Sequence, residues 1–240
     1  MAGGKSDLPV RVASAAVMVA VAGMALWLGG WFWAAFVAAT SLGVLREWVG
    51  LAQGLASTPT LRACWYLVGL VYVGVAGFVL ALLGFDFPGW LFLVLIVSLV
   101  IATDTGAYFA GRAIGGPKIA PSISPSKTWA GLGGGIIAST VVLWIASGQL
   151  FHLKPWALVL APILAVIAQI GDFFESWMKR RAGVKDSGSI IPGHGGLFDR
   201  FDGLLAVCFF IGLIFIAILI PPALNGSLFS RTVTVEVKSP

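Results

Sequence analysis

Charge is scarce in this chain. Asp, Glu, Lys and Arg together make up 10% of its 240 residues, against roughly 25% in soluble domains. That scarcity excludes an ordinary soluble globular protein. Cysteine and histidine are rarer still, with two of each. Cys64 and Cys208 lie in separate apolar segments without CxxC spacing and read as small lipid-phase or packing residues. The phosphate-loop pattern GxxxxGK[ST] is absent throughout, and no internal repeat or soluble domain is visible. What is abundant is apolar: 59% hydrophobic residues and a mean hydropathy of +0.99 describe a polytopic membrane protein.

About 20 apolar residues cross a bilayer core. Seven stretches approach that length, at 10–28, 31–48, 63–84, 88–110, 129–147, 156–178 and 203–221, so the expected fold is an all-α bundle of about seven spans, an eighth not being excluded. The first stretch follows Lys5 and Arg11 as a secretory signal would, but no small-residue cleavage site leads into a polar domain, and a second apolar segment starts at Trp31. It is read as a transmembrane helix. With the N-terminus inside, twelve Lys and Arg side chains fall on the cytoplasmic side and only Lys154, Arg231 and Lys238 outside. Residues 1–100 then form N-terminal helices and 101–221 a catalytic region, leaving 222–240 as a tail with the β-branched run RTVTVEVK. The net charge of +5 needs no nucleic-acid partner, because basic residues at span ends serve topology and attract anionic lipid.

Against this background Gly171–Gly203 gathers five of the chain's ten carboxylates and five of its fifteen cations. An unpaired charge near the bilayer centre costs about 3 kcal/mol, so such a cluster reads as a functional site. Asp172, Glu175, Ser176 and Lys179 follow i, i+3, i+4, i+7 spacing and share one helix face. Alone, the quartet would read as an interfacial ion pair. The next segment alternates charges with glycines through Pro192-Gly193-His194-Gly195-Gly196 to Asp199-Arg200-Phe201-Asp202. Glycine backbones approach anions closely, and with Lys185, Arg200 and His194 they suit a polyphosphate. Asp172 and Asp199 suit a hard cation such as Mg²⁺, which bridges carboxylates to phosphates. His194, a lone histidine between glycines, more often caps a backbone than shuttles a proton. His152, beside a span end, reads as interfacial.

A second constellation precedes it. Asp104, Tyr108 and Arg112 recur every four residues along span four, with Asp104 deepest in the membrane. The loop 115–129 adds Lys118, Lys127 and several hydroxyls; it can clamp phosphates or simply cap span five through Ser126 or Thr128. Gly131, Gly133, Gly134 and Gly135 read as close helix packing.

The run Ser176-x-Met-Lys-Arg-x4-Lys185-Asp186-x-Gly188-x2-Ile191-Pro-x-His194-Gly-Gly-Leu-x-Asp199-Arg200-Phe-Asp202 resembles the diagnostic pattern of the integral-membrane phosphatidate cytidylyltransferases. Asp104-Thr-Gly-Ala-Tyr-Phe-Ala-Gly-Arg112 and Ile123-Ser-Pro-x-Lys127-Thr-Trp129 are similar to that family too, so the likeness covers about residues 100–203. Two positions depart: Ala130 stands where the family usually has Glu, and Gly203 where it often has Ser. The resemblance implies transfer of a cytidylyl group from CTP to phosphatidate, with release of pyrophosphate, in a bacterial inner membrane and with the site facing the cytoplasm. It implies Mg²⁺ held by Asp172 and Asp199, and a catalytic set of those two with Lys185, Arg200 and His194. It further implies substrate binding by Asp104, Arg112, Lys127, Ser176, Lys179, Arg180, Asp186, Gly195, Gly196 and Asp202, and contact with membrane lipids. A second cation such as K⁺ and a homodimer stay open.

Two other readings fit the same residues. A CTP-dependent lipid kinase, or a cytidylyltransferase for another lipid, would also use a cytoplasmic site of mixed charge. A transporter would place acids near the midplane, but here the polar residues gather at one face.

Overall fold

In the computed structural model residues 7–148, 153–191 and 195–224 are described; His194, His152 and the 225–240 part of the tail lie outside them. Among the described residues seven α-helices follow in chain order: α1 (Asp7–Leu28), α2 (Gly30–Leu55), α3 (Pro59–Phe85), α4 (Gly89–Ala113), α5 (Trp129–Ala146), α6 (Leu160–Arg181) and α7 (Phe198–Leu224). Six helical segments among the described residues are long and apolar enough to cross a membrane, and α1 carries a shorter apolar stretch, Val12–Leu28. The expected all-α transmembrane bundle is what the chain forms, and many large apolar side chains on its outer surface, such as Trp27, Phe78, Ile137 and Trp144, are exposed as lipid contact requires.

Local chemistry sets the helix ends. Pro59 opens α3 in its first turn, where its missing N–H costs nothing, and Thr58 caps it by accepting the Leu61 N–H at 3.3 Å. Thr128 caps α5 in the same way, accepting the Gly131 N–H at 3.0 Å. The loop before it holds more than the expected capping turn. Strands β1 (Lys118–Ala120) and β2 (Ser124–Thr128) pair antiparallel, with Lys118 opposite Thr128 and Ala120 opposite Ser124.

Glycines decide how closely α4 and α5 approach. A Cβ on Gly134 would lie 2.7 Å from the Gly106 carbonyl oxygen, and one on Gly135 would lie 2.8 Å from that of Thr103. No Cβ fits at such distances, so these helices touch backbone to backbone. Gly133, expected in the same packing, faces open space instead. Accordingly, Gly134→Val should lower stability by about 1–3 kcal/mol through overpacking, read as a lower unfolding midpoint in detergent micelles, while Gly133→Val should leave the midpoint nearly unchanged.

The largest core lies where α2, α3, α6 and α7 meet. Trp48 is fully buried there against Trp65, Tyr72, Phe174 and Phe198, with ring centroids 5.6–6.4 Å apart, and its indole N–H donates to the Trp65 carbonyl at 2.8 Å. Rings packed this way add specific edge and offset contacts to plain burial. They hold the C-terminal end of α6 and the N-terminal end of α7 side by side, which is where the polar residues collect.

Candidate active site

Helix α6 brings Asp172, Glu175, Ser176 and Lys179 to one face, as their spacing predicts. Ser176 Oγ donates to Asp172 Oδ1 at 3.3 Å, and Lys179 Nζ sits 2.6 Å from Glu175 Oε2. The first turns of α7 face them. Lys179 Nζ also reaches Asp199 Oδ1 at 2.7 Å, so one ammonium bridges two helices through two buried carboxylates, Glu175 being 1% exposed and Asp199 7%. Lys179, expected at a phosphate, is directed at these acids.

Asp172 and Asp199, expected to share a cation, occupy different settings. Asp199 Oδ1 meets Lys179, and its Oδ2 accepts the Ser187 N–H at 2.9 Å and the Gly196 N–H at 2.8 Å. Its lone pairs are therefore largely engaged by the protein. The carboxylates that gather with Asp172 are Glu175 and Asp202, whose oxygens lie within 4.8 Å of one another. Within that group Glu175 Oε1 is buried with no hydrogen-bond partner. A buried, unpartnered carboxylate oxygen is costly, and an all-oxygen set beside it matches what Mg²⁺ prefers. The residues present fit such an ion.

Asp172 also forms one wall of a polar cavity of about 490 Å³ between α4, α6 and the β hairpin. Asp104, Tyr108 and Arg112 line it from α4, and Lys118, Ser126, Lys127 and Thr128 from the hairpin and its junction with α5. Lys127 pairs with Asp172 and donates to Gln169 Oε1 at 2.9 Å, while Gln169 Nε2 donates to Asp104 Oδ1 at 3.3 Å. Arg112 Nη1 donates to Tyr108 Oη at 2.9 Å. Arg180 is exposed and its Nε donates to the Ile123 carbonyl at the hairpin turn, at 3.4 Å.

The remaining expected residues lie around this centre. Lys185 and Asp186 are exposed, as is Arg200 on the first turn of α7. Gly195 pairs with Ile191, whose N–H donates to its carbonyl at 3.0 Å, and Gly196 donates to Asp199. Two residues were not anticipated. Gln169 lies three residues before Asp172, a polar group continuing the same helical stripe inward, and that periodicity marks it. Glu47 is an acid inside the second apolar span, 5% exposed, and such a residue is a functional candidate on position alone.

The sequence matches a family model described as the cytidylyltransferase family over residues 55–219. It is 43% identical over 167 residues to the phosphatidate cytidylyltransferase of Brucella suis biovar 1, a match covering 69% of this chain and 62% of that protein's length. It is 33% identical over 222 residues to the phosphatidate cytidylyltransferase of Rickettsia felis, covering 88% of this chain and 94% of that protein. A model match over most of the chain, with relatives extending across the site just described, shows that this chain belongs to the cytidylyltransferase family.

Proposed function

We propose that the protein is a phosphatidate cytidylyltransferase, joining CTP and phosphatidate to give CDP-diacylglycerol and pyrophosphate. The carrying observation is the position of Asp172, which belongs both to the three-carboxylate cluster and to the wall of the cationic cavity. A phosphatidate oxygen attacks the α-phosphorus of CTP, the bond from that phosphorus to the bridging oxygen breaks, and pyrophosphate leaves. The attacking phosphate is already an anion, so positioning and charge compensation are the main requirements on the protein.

Arg112, Lys118 and Lys127, with the Tyr108, Ser126 and Thr128 hydroxyls, supply donors around the cavity for phosphate oxygens. Asp172, Glu175 and Asp202 would hold Mg²⁺, which when bound offsets charge on the reacting phosphates. Gln169 holds Lys127 and Asp104 in register, and Lys179 fixes the Glu175 and Asp199 carboxylates across α6 and α7. The exposed Lys185 and Arg200 side chains would meet the nucleotide phosphates. An apolar cavity of about 450 Å³ adjoins on α4 and α7: Ile101 lines it one turn before Asp104, and Phe201 lines it next to Asp202. Neighbouring polar and apolar spaces suit a substrate with a phosphate head and hydrocarbon tails. The Lys/Arg asymmetry supports a site facing the cytoplasm of a bacterial inner membrane.

Purified protein in mixed micelles with phosphatidate, Mg²⁺ and CTP labelled at the α-phosphate should release unlabelled pyrophosphate and place the label in lipid. Label transfer from γ-labelled CTP with release of CDP would establish a lipid kinase and overturn the proposal.

A further inference from the structure

Glu47 lies on α2, before the segment matched by the family model, yet its carboxylate is bonded into the site's framework. Its Oε2 accepts from Ser187 Oγ at 2.9 Å and from the Phe198 N–H at 2.8 Å, and its Oε1 accepts from the Leu197 N–H at 2.9 Å. A single carboxylate therefore grips the chain at Ser187, soon after α6 ends, and again at the entry to α7. Two glycines make room for it. A Cβ on Gly188 or on Gly196 would run into the Glu47 carboxylate.

Ser187 and Gly196 are gripped a second time, by Asp199, whose Oδ2 accepts both of their N–H groups. Ser187 Oγ closes the link: it donates to Glu47 and accepts from the Asp199 N–H at 3.3 Å. From Asp199 the connection continues through Lys179 to Glu175 in the carboxylate cluster. Charge-assisted hydrogen bonds to backbone N–H groups are short and strong, particularly at a buried helix N-terminus.

We infer that Glu47 is a positioning residue: acting through Ser187 and the α7 entry, it fixes the Asp199 and Lys179 side chains and so the orientation of Glu175 at the carboxylate cluster. The kinetic part of this inference rests on the proposed cytidylyl transfer. Partners of this kind, one layer behind a reacting site, commonly change activity about 10- to 100-fold when altered.

The test uses the full chain in mixed micelles. Glu47→Gln keeps the size of the side chain but turns one oxygen into a donor facing donors. Its kcat should fall about 10- to 100-fold with the KM for phosphatidate unchanged. Ser187→Ala should fall in the same direction, and the double variant should lose no more than Glu47→Gln alone. Thr58→Ala, which removes the α3 cap in which Thr58 Oγ1 accepts the Leu61 N–H at 3.3 Å, controls for simple destabilisation: its unfolding midpoint should fall while kcat holds. Wild-type kcat in folded Glu47→Gln, or additive losses in the double variant, would overturn the inference. Should the wild-type protein release no pyrophosphate, the functional reading fails on its own. Amide exchange then decides the clamp: Gly196, Leu197 and Phe198 should exchange slowly in the wild type and fast in Glu47→Gln, and equal rates would remove it.

Discussion

Asp172→Asn is expected to lower pyrophosphate release about a thousandfold at saturating CTP and phosphatidate, equivalent to about 4 kcal/mol of lost charge stabilisation at the transition state. Asp172 is tied into both halves of the site. Its carboxylate pairs with Lys127, accepts from Ser176 and converges with Glu175 and Asp202. Asparagine is nearly the same size, so packing survives while the charge is lost. Asp199→Asn should fail differently. There the new amide would oppose the Ser187 and Gly196 N–H donors or the Lys179 ammonium, so the unfolding midpoint should drop together with the rate. Raising Mg²⁺ should restore part of the rate in Asp202→Asn, whose carboxylate belongs to the cluster, and none in Asp199→Asn. A near-normal rate for Asp172→Asn would remove Asp172 from the metal site, whereas rescue of Asp199→Asn by Mg²⁺ alone would return the metal to the Asp172 and Asp199 pair implied by the family resemblance.

The contrast between those two aspartates shows where sequence reading reaches its limit. Period and composition are local properties, and what depends on them was legible: the apolar spans, the polar stripe Asp172, Glu175, Ser176, Lys179, the packing role of Gly131, Gly134 and Gly135, and the Thr128 cap. Partner choice is not local. Asp199 and Asp172 are both carboxylates near span ends, and only the fold directs one at Lys179 and two amides and the other at Lys127. Glu47 meets its partners 140 to 151 positions further along the chain, beyond the reach of any spacing rule. The hairpin escaped for another reason. Its strands have three and five residues and include Pro125, so neither alternation nor β-branched enrichment marks them.

Lys179→Met should cost about 3–5 kcal/mol of stability, the usual result of removing one member of a buried ionic group. Its side chain is 14% exposed, and its ammonium is shared by Glu175 and Asp199, whose side chains are less exposed still. Methionine fills similar volume, so the loss would be electrostatic rather than a cavity. The expected readout is a large fall in unfolding midpoint in micelles, with reduced recovery of folded protein. Removing one of the orphaned charges separates the two contributions. Lys179→Met with Glu175→Gln should be more stable than Lys179→Met alone, because one buried carboxylate no longer lacks its counter-charge. The same double variant should nevertheless stay inactive, since Glu175 contributes to the oxygen cluster. Recovered stability without recovered turnover would mean that Lys179 and Glu175 hold the helices together while Glu175 also serves the site. Recovered turnover would show that the pair is structural only and that the cluster works without Glu175.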